Sequence, residues 1–573
     1  MQAQDMQPVP LEQSHPILAP TVPEARIEAL DVVRGFALLG IFLMNIEFFN
    51  RSTSGIGEGM PVGLTGVDWF ASWFISYFVQ GKFWTIFSLL FGMGFAVMLT
   101  RAERAGRPFL GPYLRRILAL AVFGASHYIF LWVGDILFSY AVAAGALLIL
   151  LYGQWKPIVV AIALLVGIGM ATGVEPLFGI AGSLSFVGLV SLYMRDEKRI
   201  MVRGYRVPRM SVILFVFGVV AAIASTVLWC LANAPTDPRV PVSLAAVVLL
   251  TMSVLSAKFK DPVNLRAVRL GATIFFTQAV IMILLGAVQY LTPPEADTST
   301  LPANAAGVAT AAEKKSETKP GQKPEPTAAE KQAEKAKRLA KRLEERRNEV
   351  RILSSGHYAE AVEMRARRFP EKLAGDAGFA TVLVAMFLLG SWFVRSGIME
   401  NTGAHLPLFR KLAFYGLPLG IGLGLLGSTV AMSHTPGAEH DGFQMARGLT
   451  VLGNLPACLG YVGMVVLMLH SRSVFANIRV LAPVGRMALS NYLLQSVICS
   501  IVFFGYGLGY WGMGRAHQVV FVAVVFAAQI VMSHWWLSRY RFGPMEWVWR
   551  AFTYRTTPAM RREPTLPTTA IAA

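Results

Sequence analysis

Leu30-Asp31-Val32-Val33-Arg34-Gly35-Phe36-Ala37-Leu38-Leu39-Gly40-Ile41-Phe42-Leu43-Met44-Asn45-Ile46-Glu47-Phe48 is an apolar run long enough to cross a hydrocarbon core. Yet it carries Asp31, Arg34 and Asn45, and polar groups inside a span are costly. Arg34 and Asn45 are eleven residues apart, so a helix sets them on one stripe about 16 Å apart along its axis. That stripe covers about half of a core roughly 30 Å thick. Asp31 and Arg34 are i and i+3 and can pair on the same face. Two readings stay open for them: an ion pair at the end of the span, with Arg34 reaching to the interface, or a hold on an anionic ligand. Asn45 alone serves equally as a hydrogen-bonding link between helices.

The rest of the chain repeats the pattern. Its 573 residues are 54% hydrophobic and only 15% charged, with a mean hydropathy of +0.52; soluble domains carry about 25% charged residues. Apolar runs fall at 30–48, 83–100, 117–133, 135–153, 157–175, 178–194, 211–231, 240–257, 269–291, 376–394, 412–432, 447–470, 482–506 and 517–537. They predict an all-α polytopic bundle of about 14 spans, whose first partner is the lipid bilayer. A barrel would show alternating ten-residue segments instead. The aromatic stretch Val67 to Val79 reads as interfacial or re-entrant.

The net charge of +18 is no sign of nucleic acid, because most of the excess sits in short loops. Residues 101–116 hold five basic side chains, 195–209 six and 258–269 four, and six follow Leu537. The loops between them are poor in Lys and Arg, and this alternation places both termini in the cytoplasm. Residues 293–355 interrupt the spans. Their first half is rich in Ala, Pro, Thr and Lys and is expected to be disordered; Ala328 to Leu353 reads as a solvated, charged helix. This extramembrane linker divides the chain into a tail expected to be disordered (1–25), a first bundle (26–155), further spans (156–292), the linker (293–355), a second bundle (356–555) and a second tail expected to be disordered (556–573).

Three further groups of residues carry chemistry. His127 ends Gly124-Ala125-Ser126-His127, and Asp135 follows at Trp132-Val133-Gly134-Asp135. Eight residues of unbroken helix would part them by about 12 Å, so they meet only if the chain turns at Gly134. An imidazole oriented by a carboxylate is the usual make-up of a general base; a buried His bonded to a neighbouring helix is the structural alternative. Ser126 points to another face and makes no pair with His127. In Gly485-Arg486-Met487-Ala488-Leu489-Ser490-Asn491-Tyr492-Leu493-Leu494-Gln495-Ser496, Arg486 shares a face with Ser490, and Asn491 with Gln495. These face protein or a wet cavity, as ligand contacts or as interhelical links. Gly543 to Arg550 reads as an interfacial helix anchored by Trp547 and Trp549, with Glu546 and Arg550 at i and i+4. Gly416, Gly420 and Gly424 around Pro418 read as close helix packing with a kink. The cysteines Cys230, Cys458 and Cys499 all lie in apolar runs and offer no disulfide framework or metal-ligand spacing.

Taken together, Arg26 to Gly35, Gly81 to Gly92, His127 to Ala141, Gly485 to Ser496 and Gly543 to Arg550 resemble the YeiB family of bacterial inner-membrane proteins, a family of unknown function. The resemblance covers roughly 26–155 and 357–555, which leaves 157–355 to be read as largely an insertion. That family resembles, in turn, a superfamily of transmembrane acyltransferases that includes the acyltransferase-three enzymes and heparan-α-glucosaminide N-acetyltransferase. The shared element is Leu-Asp-x-x-Arg-Gly in the first span. Where acyltransferase-three proteins have a His eleven positions after the Arg, this chain has Asn45, and residues 46–68 contain no His. His127 is then the remaining candidate base.

The resemblance implies a buried polar site among the first, third, fourth and thirteenth spans. An acyl-CoA donor would enter from the cytoplasm with Arg34 near its thioester or phosphates, as a substrate rather than a bound cofactor. Asp31, Asn45, Arg486, Asn491 and Gln495 would complete the contacts. His127, oriented by Asp135, would deprotonate a sugar or lipid-headgroup acceptor near the outer face. The competing readings are a transporter or flippase of a small amphiphile, with His127 and Asp135 as a proton relay, and a membrane scaffold that works through the charged helix.

Overall fold

The opening apolar run folds as α1 (Glu28–Asn45), with Glu28 and Asp31 in the first turn where they complement the helix dipole, and passes into a short turn, Ile46–Phe49. This computed structural model describes residues 27–53, 59–61, 63–174, 176–196, 198–231, 239–258, 263–291, 328–431 and 440–562. The aromatic stretch forms α2 (Gly66–Phe74) and a π-helical turn, Ile75–Val79. Gly81, at φ 83°, a conformation that only glycine takes readily, carries the chain into α3 (Lys82–Arg104). α4 (Leu110–Ser126) runs into a second π-helical turn, His127–Leu131, and is followed by α5 (Leu137–Tyr152), α6 (Trp155–Thr172) and α7 (Pro176–Arg195). A two-stranded hairpin, β1 (Arg199–Val202) and β2 (Tyr205–Pro208), pairs Arg199 with Pro208 and leads to α8 (Arg209–Cys230), α9 (Arg239–Lys258) and α10 (Val263–Leu291).

The charged segment forms α11 (Ala328–Ser355), followed by α12 (Tyr358–Arg395), the short α13 (Leu406–Lys411), α14 (Leu417–Ala431) and α15 (Phe443–Leu469). The chain ends in α16 (Ala482–Arg486), α17 (Ala488–Phe503), α18 (Arg515–Arg539) and α19 (Pro544–Tyr554).

Among the described residues, each apolar run read from the sequence falls mainly on helix, and the chain is an all-α, multi-pass membrane bundle. Among the described residues, ten helices are long and apolar enough to cross a membrane, and eleven if the bent pair Val474–Arg486 and Ala488–Phe503 is one span. Leu137–Tyr152, Pro176–Ser191 and Ala245–Ala257 are apolar but shorter, so the expectation of 14 full spans is not met by length. Burial sorts the helices into a centre and a rim. The first span is 72% buried, whereas Trp155–Thr172 is 6% buried and presents Val159, Val160, Leu164 and Ile168 outward, a face suited to lipid. In the centre, α3 and α12 touch backbone to backbone: a Cβ at Gly92 would strike Phe387, and one at Gly390 would strike Leu89. Val33, Leu38, Ile86, Leu89, Ala385 and Val465 fill the core around that contact.

Two expectations for the extramembrane parts change. α11 is helical as its composition predicts, but its C-terminal end is not solvated. Glu349 is fully buried, accepts hydrogen bonds from Ser52 Oγ and the Thr53 amide, both at 2.9 Å, and pairs with Arg368 at 3.1 Å. Ile352 and Leu353 follow the charges and anchor that end beside Phe49, Trp132 and Phe503. Part of the expected C-terminal tail is also tied down. The Arg541 amide donates to Met560 O at 2.8 Å, and Trp547 Nε1 donates to Pro558 O at 2.7 Å. The disorder expected for 1–25, 293–327 and beyond 562 falls on or outside the limits of the described residues.

Lys82 opens α3 wholly buried, with no hydrogen-bond partner for Nζ. A lone ammonium so placed is destabilising by several kcal/mol. Lys82→Met keeps the unbranched chain and drops the charge, so it is expected to raise the melting temperature of the detergent-purified protein. A lowered melting temperature would show that the ammonium is needed.

Candidate functional site

Glycine brings the first and late spans together. A Cβ at Gly485 would strike the Asp31 carbonyl, and one at Gly35 would strike the Leu481 carbonyl. That approach sets Arg34 against Gly485: its guanidinium pairs with Asp31 Oδ1 at 3.0 Å and reaches Gly485 O at 3.4 Å. Beside this crossing lies a cavity of about 290 Å³. Its polar lining includes five guanidinium groups, Arg34, Arg101, Arg116, Arg486 and Arg550, against two carboxylates, Asp31 and Glu546. Its apolar lining includes Leu90, Phe91, Leu120, Ile136 and Leu137. On α3 the lining residues run from Arg101 to Phe87, about 21 Å of helix. The cavity is thus a slot with a cationic end and an apolar depth.

The helix break at Met487 and the last helix complete the cationic end. α16 and α17 belong to the pair that meets at 78°, which frees the first amides of α17. The Glu546 carboxylate accepts from the amides of Leu489 at 2.7 Å and Ser490 at 3.1 Å and from Ser490 Oγ at 2.6 Å, an N-terminal cap supplied by α19. Burial pushes the Glu546 carboxyl up from its ordinary range, and these hydrogen bonds act the other way. Arg116 lies over the Trp549 ring at 4.3 Å, and Trp549 Nε1 donates to Arg116 O at 2.9 Å. α19 is therefore a wall of the slot. The two indoles that read as interfacial anchors spend their N–H groups on protein carbonyls.

Deeper along the same helices lies a buried hydrogen-bond chain. His127 is eleven residues beyond Arg116, about 16 Å further along α4. It starts the π-helical turn, a distortion that recurs at functional sites. The chain then turns at Gly134, and Asp135 comes back to the ring: His127 Nδ1 donates to Asp135 Oδ1 at 2.9 Å. Asp135 is itself oriented by the amides of Leu137 at 3.2 Å and Phe138 at 2.8 Å, at the start of α5. Lys372 Nζ donates to Asp135 O at 3.0 Å and pairs with Asp376 at 2.9 Å, which fixes the turn from behind. With Nδ1 committed to Asp135, Nε2 accepts from Ser496 Oγ at 2.8 Å. The side chains of His127 and Asp135 are fully buried. Further from the slot, Trp132 stacks on Phe49 at 4.5 Å and closes that side.

The residues singled out in the sequence divide into three groups. Asp31, Arg34 and Arg486 line the slot, and all four spans named for the site contribute to it, together with α3 and α19. His127 and Asp135 pair, but neither lines the slot. Asn45, Asn491 and Gln495 lie outside the lining. Asn491 Nδ2 donates to Ser533 Oγ at 3.0 Å, and Gln495 Nε2 to Gln529 Oε1 at 2.9 Å, both links to α18. Ser496, Tyr492, Arg116 and Glu546 are site residues that the sequence does not disclose. Arg116 reads there as one charge of a basic loop, and Ser496 lies 369 residues from His127. The one available signal is the i, i+4 spacing of Tyr492 and Ser496. Among the described residues no group of three or more His, Cys, Asp or Glu side chains is placed to hold a metal ion.

Residues 393–556 match the model of a protein family of unknown function, DUF418. The chain is 24% identical over 554 residues to the uncharacterized protein YxaH of Bacillus subtilis, covering 94% of this chain and 96% of that one. It is 31% identical over 207 residues to the uncharacterized protein YeiB of Escherichia coli, covering 35% of this chain and 52% of that one. It is 40% identical over 111 residues to an uncharacterized 39.9 kDa protein of Bacillus acidopullulyticus, covering 19% of this chain and 30% of that one. No solved structure matches the chain.

Proposed function

We propose that this chain, which belongs to the YeiB-like DUF418 family, is a membrane-embedded acyltransferase that uses a phosphate-bearing thioester such as acyl-CoA as donor. The observation that carries this reading is the buried relay Ser496–His127–Asp135, at 2.8 and 2.9 Å, beyond the apolar depth of a cationic slot. The basic loops at the slot's cationic end mark the cytoplasmic side by the positive-inside rule, with both termini there and the protein in the plasma membrane. The donor's phosphates would sit among Arg34, Arg101, Arg116, Arg486 and Arg550, and its acyl arm would follow Leu90, Phe91, Ile136 and Leu137 inward.

The chemistry follows from the hydrogen bonds. Ser496 Oγ attacks the thioester carbonyl while its proton passes to His127 Nε2, and Asp135 stabilises the imidazolium through Nδ1–H. Collapse of the tetrahedral intermediate breaks the C–S bond, and the departing sulfur takes the proton from Nε2 and leaves as a thiol. An acceptor hydroxyl or amine then attacks acyl-Ser496, gives its proton to His127, and the proton returns to Ser496 Oγ. A sugar or lipid headgroup near the outer face is the acceptor class proposed.

The test is direct. Purified protein in nanodiscs, given acyl-CoA, is expected to release free thiol and to carry one acyl group on the peptide containing Ser496. No thiol release and no adduct across short and long acyl chains would overturn the reading. Arg34→Ala is expected to raise the KM for acyl-CoA by about tenfold, the value of a charge-assisted hydrogen bond, with kcat much less affected. A KM unchanged in Arg34→Ala would move the phosphates elsewhere.

A further inference from the structure

The slot and the relay do not join, and one side chain stands between them. Tyr492 lines the slot, while its ring packs on the His127 ring with centroids 5.1 Å apart. It sits one helical turn before Ser496, whose Oγ lies 3.4 Å from Tyr492 O. Neither Ser496 nor His127 lines the slot, and each is 2% exposed. Tyr492 is 6% exposed and its hydroxyl makes no hydrogen bond of regular geometry. This contrasts with nearby polar groups. Tyr140 donates to Trp84 O at 3.1 Å, Ser139 to Asp376 at 2.8 Å, and Asn491 and Gln495 are held by α18. Buried hydroxyls are normally paired; the Tyr492 hydroxyl has only the Ile136 amide near it, outside regular hydrogen-bond geometry, and is held less firmly than these.

Resting on the acyl-transfer reading, we propose that the Tyr492 ring is a movable partition that decides which acyl donors reach Ser496. In the resting state it separates the nucleophile from the slot, so water and short esters do not meet Ser496. A donor whose head is gripped by the arginines presses its arm against the ring, and the binding energy of that remote contact turns the ring aside. Selectivity then lies in reach. A thioester on a long arm with an anionic head opens the partition, and a small neutral ester, which gains nothing from the arginines, does not. The ring does this by its bulk, so Phe should substitute for Tyr and Ala should not.

The experiment separates the partition from the chemistry. Ser496→Cys is introduced alone, with Tyr492→Phe and with Tyr492→Ala, in the full-length protein in nanodiscs. Modification of the introduced thiol by a small methanethiosulfonate is followed by peptide mapping, which distinguishes it from the native cysteines. Labelling is expected to be slow in the Ser496→Cys protein and in its Tyr492→Phe double variant. It is expected to be at least tenfold faster in the Tyr492→Ala double variant, with similar melting temperatures throughout. Equal labelling rates in all three would overturn the partition, whatever the enzyme activity proves to be. With Ser496 retained, Tyr492→Ala is expected to hydrolyse p-nitrophenyl acetate at least tenfold faster than Tyr492→Phe. Fast thiol labelling in the Tyr492→Ala background without faster ester hydrolysis would uphold the partition as a barrier and sink the acyl-transfer reading, and with it the selection of donors.

Discussion

His127→Ala is expected to lower acyl transfer by at least about 1,000-fold, with donor binding unchanged. In the proposed mechanism the imidazole is the one group that both takes the Ser496 proton and returns it to the leaving sulfur. Its side chain touches Asp135 and Ser496 and does not line the slot, so its loss leaves the arginines as they are. Because the three groups act as a unit, the double variant His127→Ala, Ser496→Ala should be no slower than either single one. Thiol release from acyl-CoA checks the rate, and titration with desulfo-CoA checks the affinity. A His127→Ala protein that keeps a tenth of wild-type turnover would remove the imidazole from the chemistry. Asp135→Asn is a poorer probe, since Asp135 also orients the first amides of α5 and its loss would disturb folding as well.

The largest expected effect on stability comes from a different buried charge. Arg515 is 6% exposed at the start of α18. It donates to Glu47 Oε2 at 2.8 Å, Gln518 Oε1 at 2.6 Å and Leu43 O at 3.2 Å, and so ties α18 to the far end of the first span. Glu47 also meets Arg51 at 2.9 Å. Arg515→Ala leaves a buried carboxylate with Arg51 as its one charged partner and strands Gln518 Oε1, a change expected to destabilise the protein by about 3–5 kcal/mol. The double variant Glu47→Gln, Arg515→Met removes both charges and should be markedly less damaging than Arg515→Ala. Denaturation of the three proteins in the same detergent reads the difference. Equal losses for the single and double variants would show that packing, not charge, holds this end together.

How far the sequence discloses such sites depends on the distance between partners. The Asp31–Arg34 pair is legible because three residues on a helix fix the contact. The His127–Asp135 pair is legible because Gly134 marks a turn. Asn491 and Gln495 look like Arg486 in the sequence, since each is a polar group in an apolar run. Only packing separates them: α18 occupies the face of the two amides, and the helix break at Met487 leaves Arg486 beside the slot. Ser496 is not legible, because a lone hydroxyl on a span is normally satisfied by its own helix. Glu546 reads as the helical partner of Arg550, whereas its carboxylate serves the opened start of α17. Composition and apolar run length settle the helical bundle. They do not settle the span count, because Leu137–Tyr152 and its like are apolar without being long.

The slot draws Arg34, Arg101 and Arg116 from the beginning of the chain and Arg486 and Arg550 from its end, and the relay likewise joins His127 and Asp135 to Ser496. The site is therefore a seam between two separately encoded halves, and neither half holds a working fragment of it. No described residue between Gly153 and Gly356 lines the slot or belongs to the relay, so that stretch answers to packing, as at Glu349, and not to the closing of the seam.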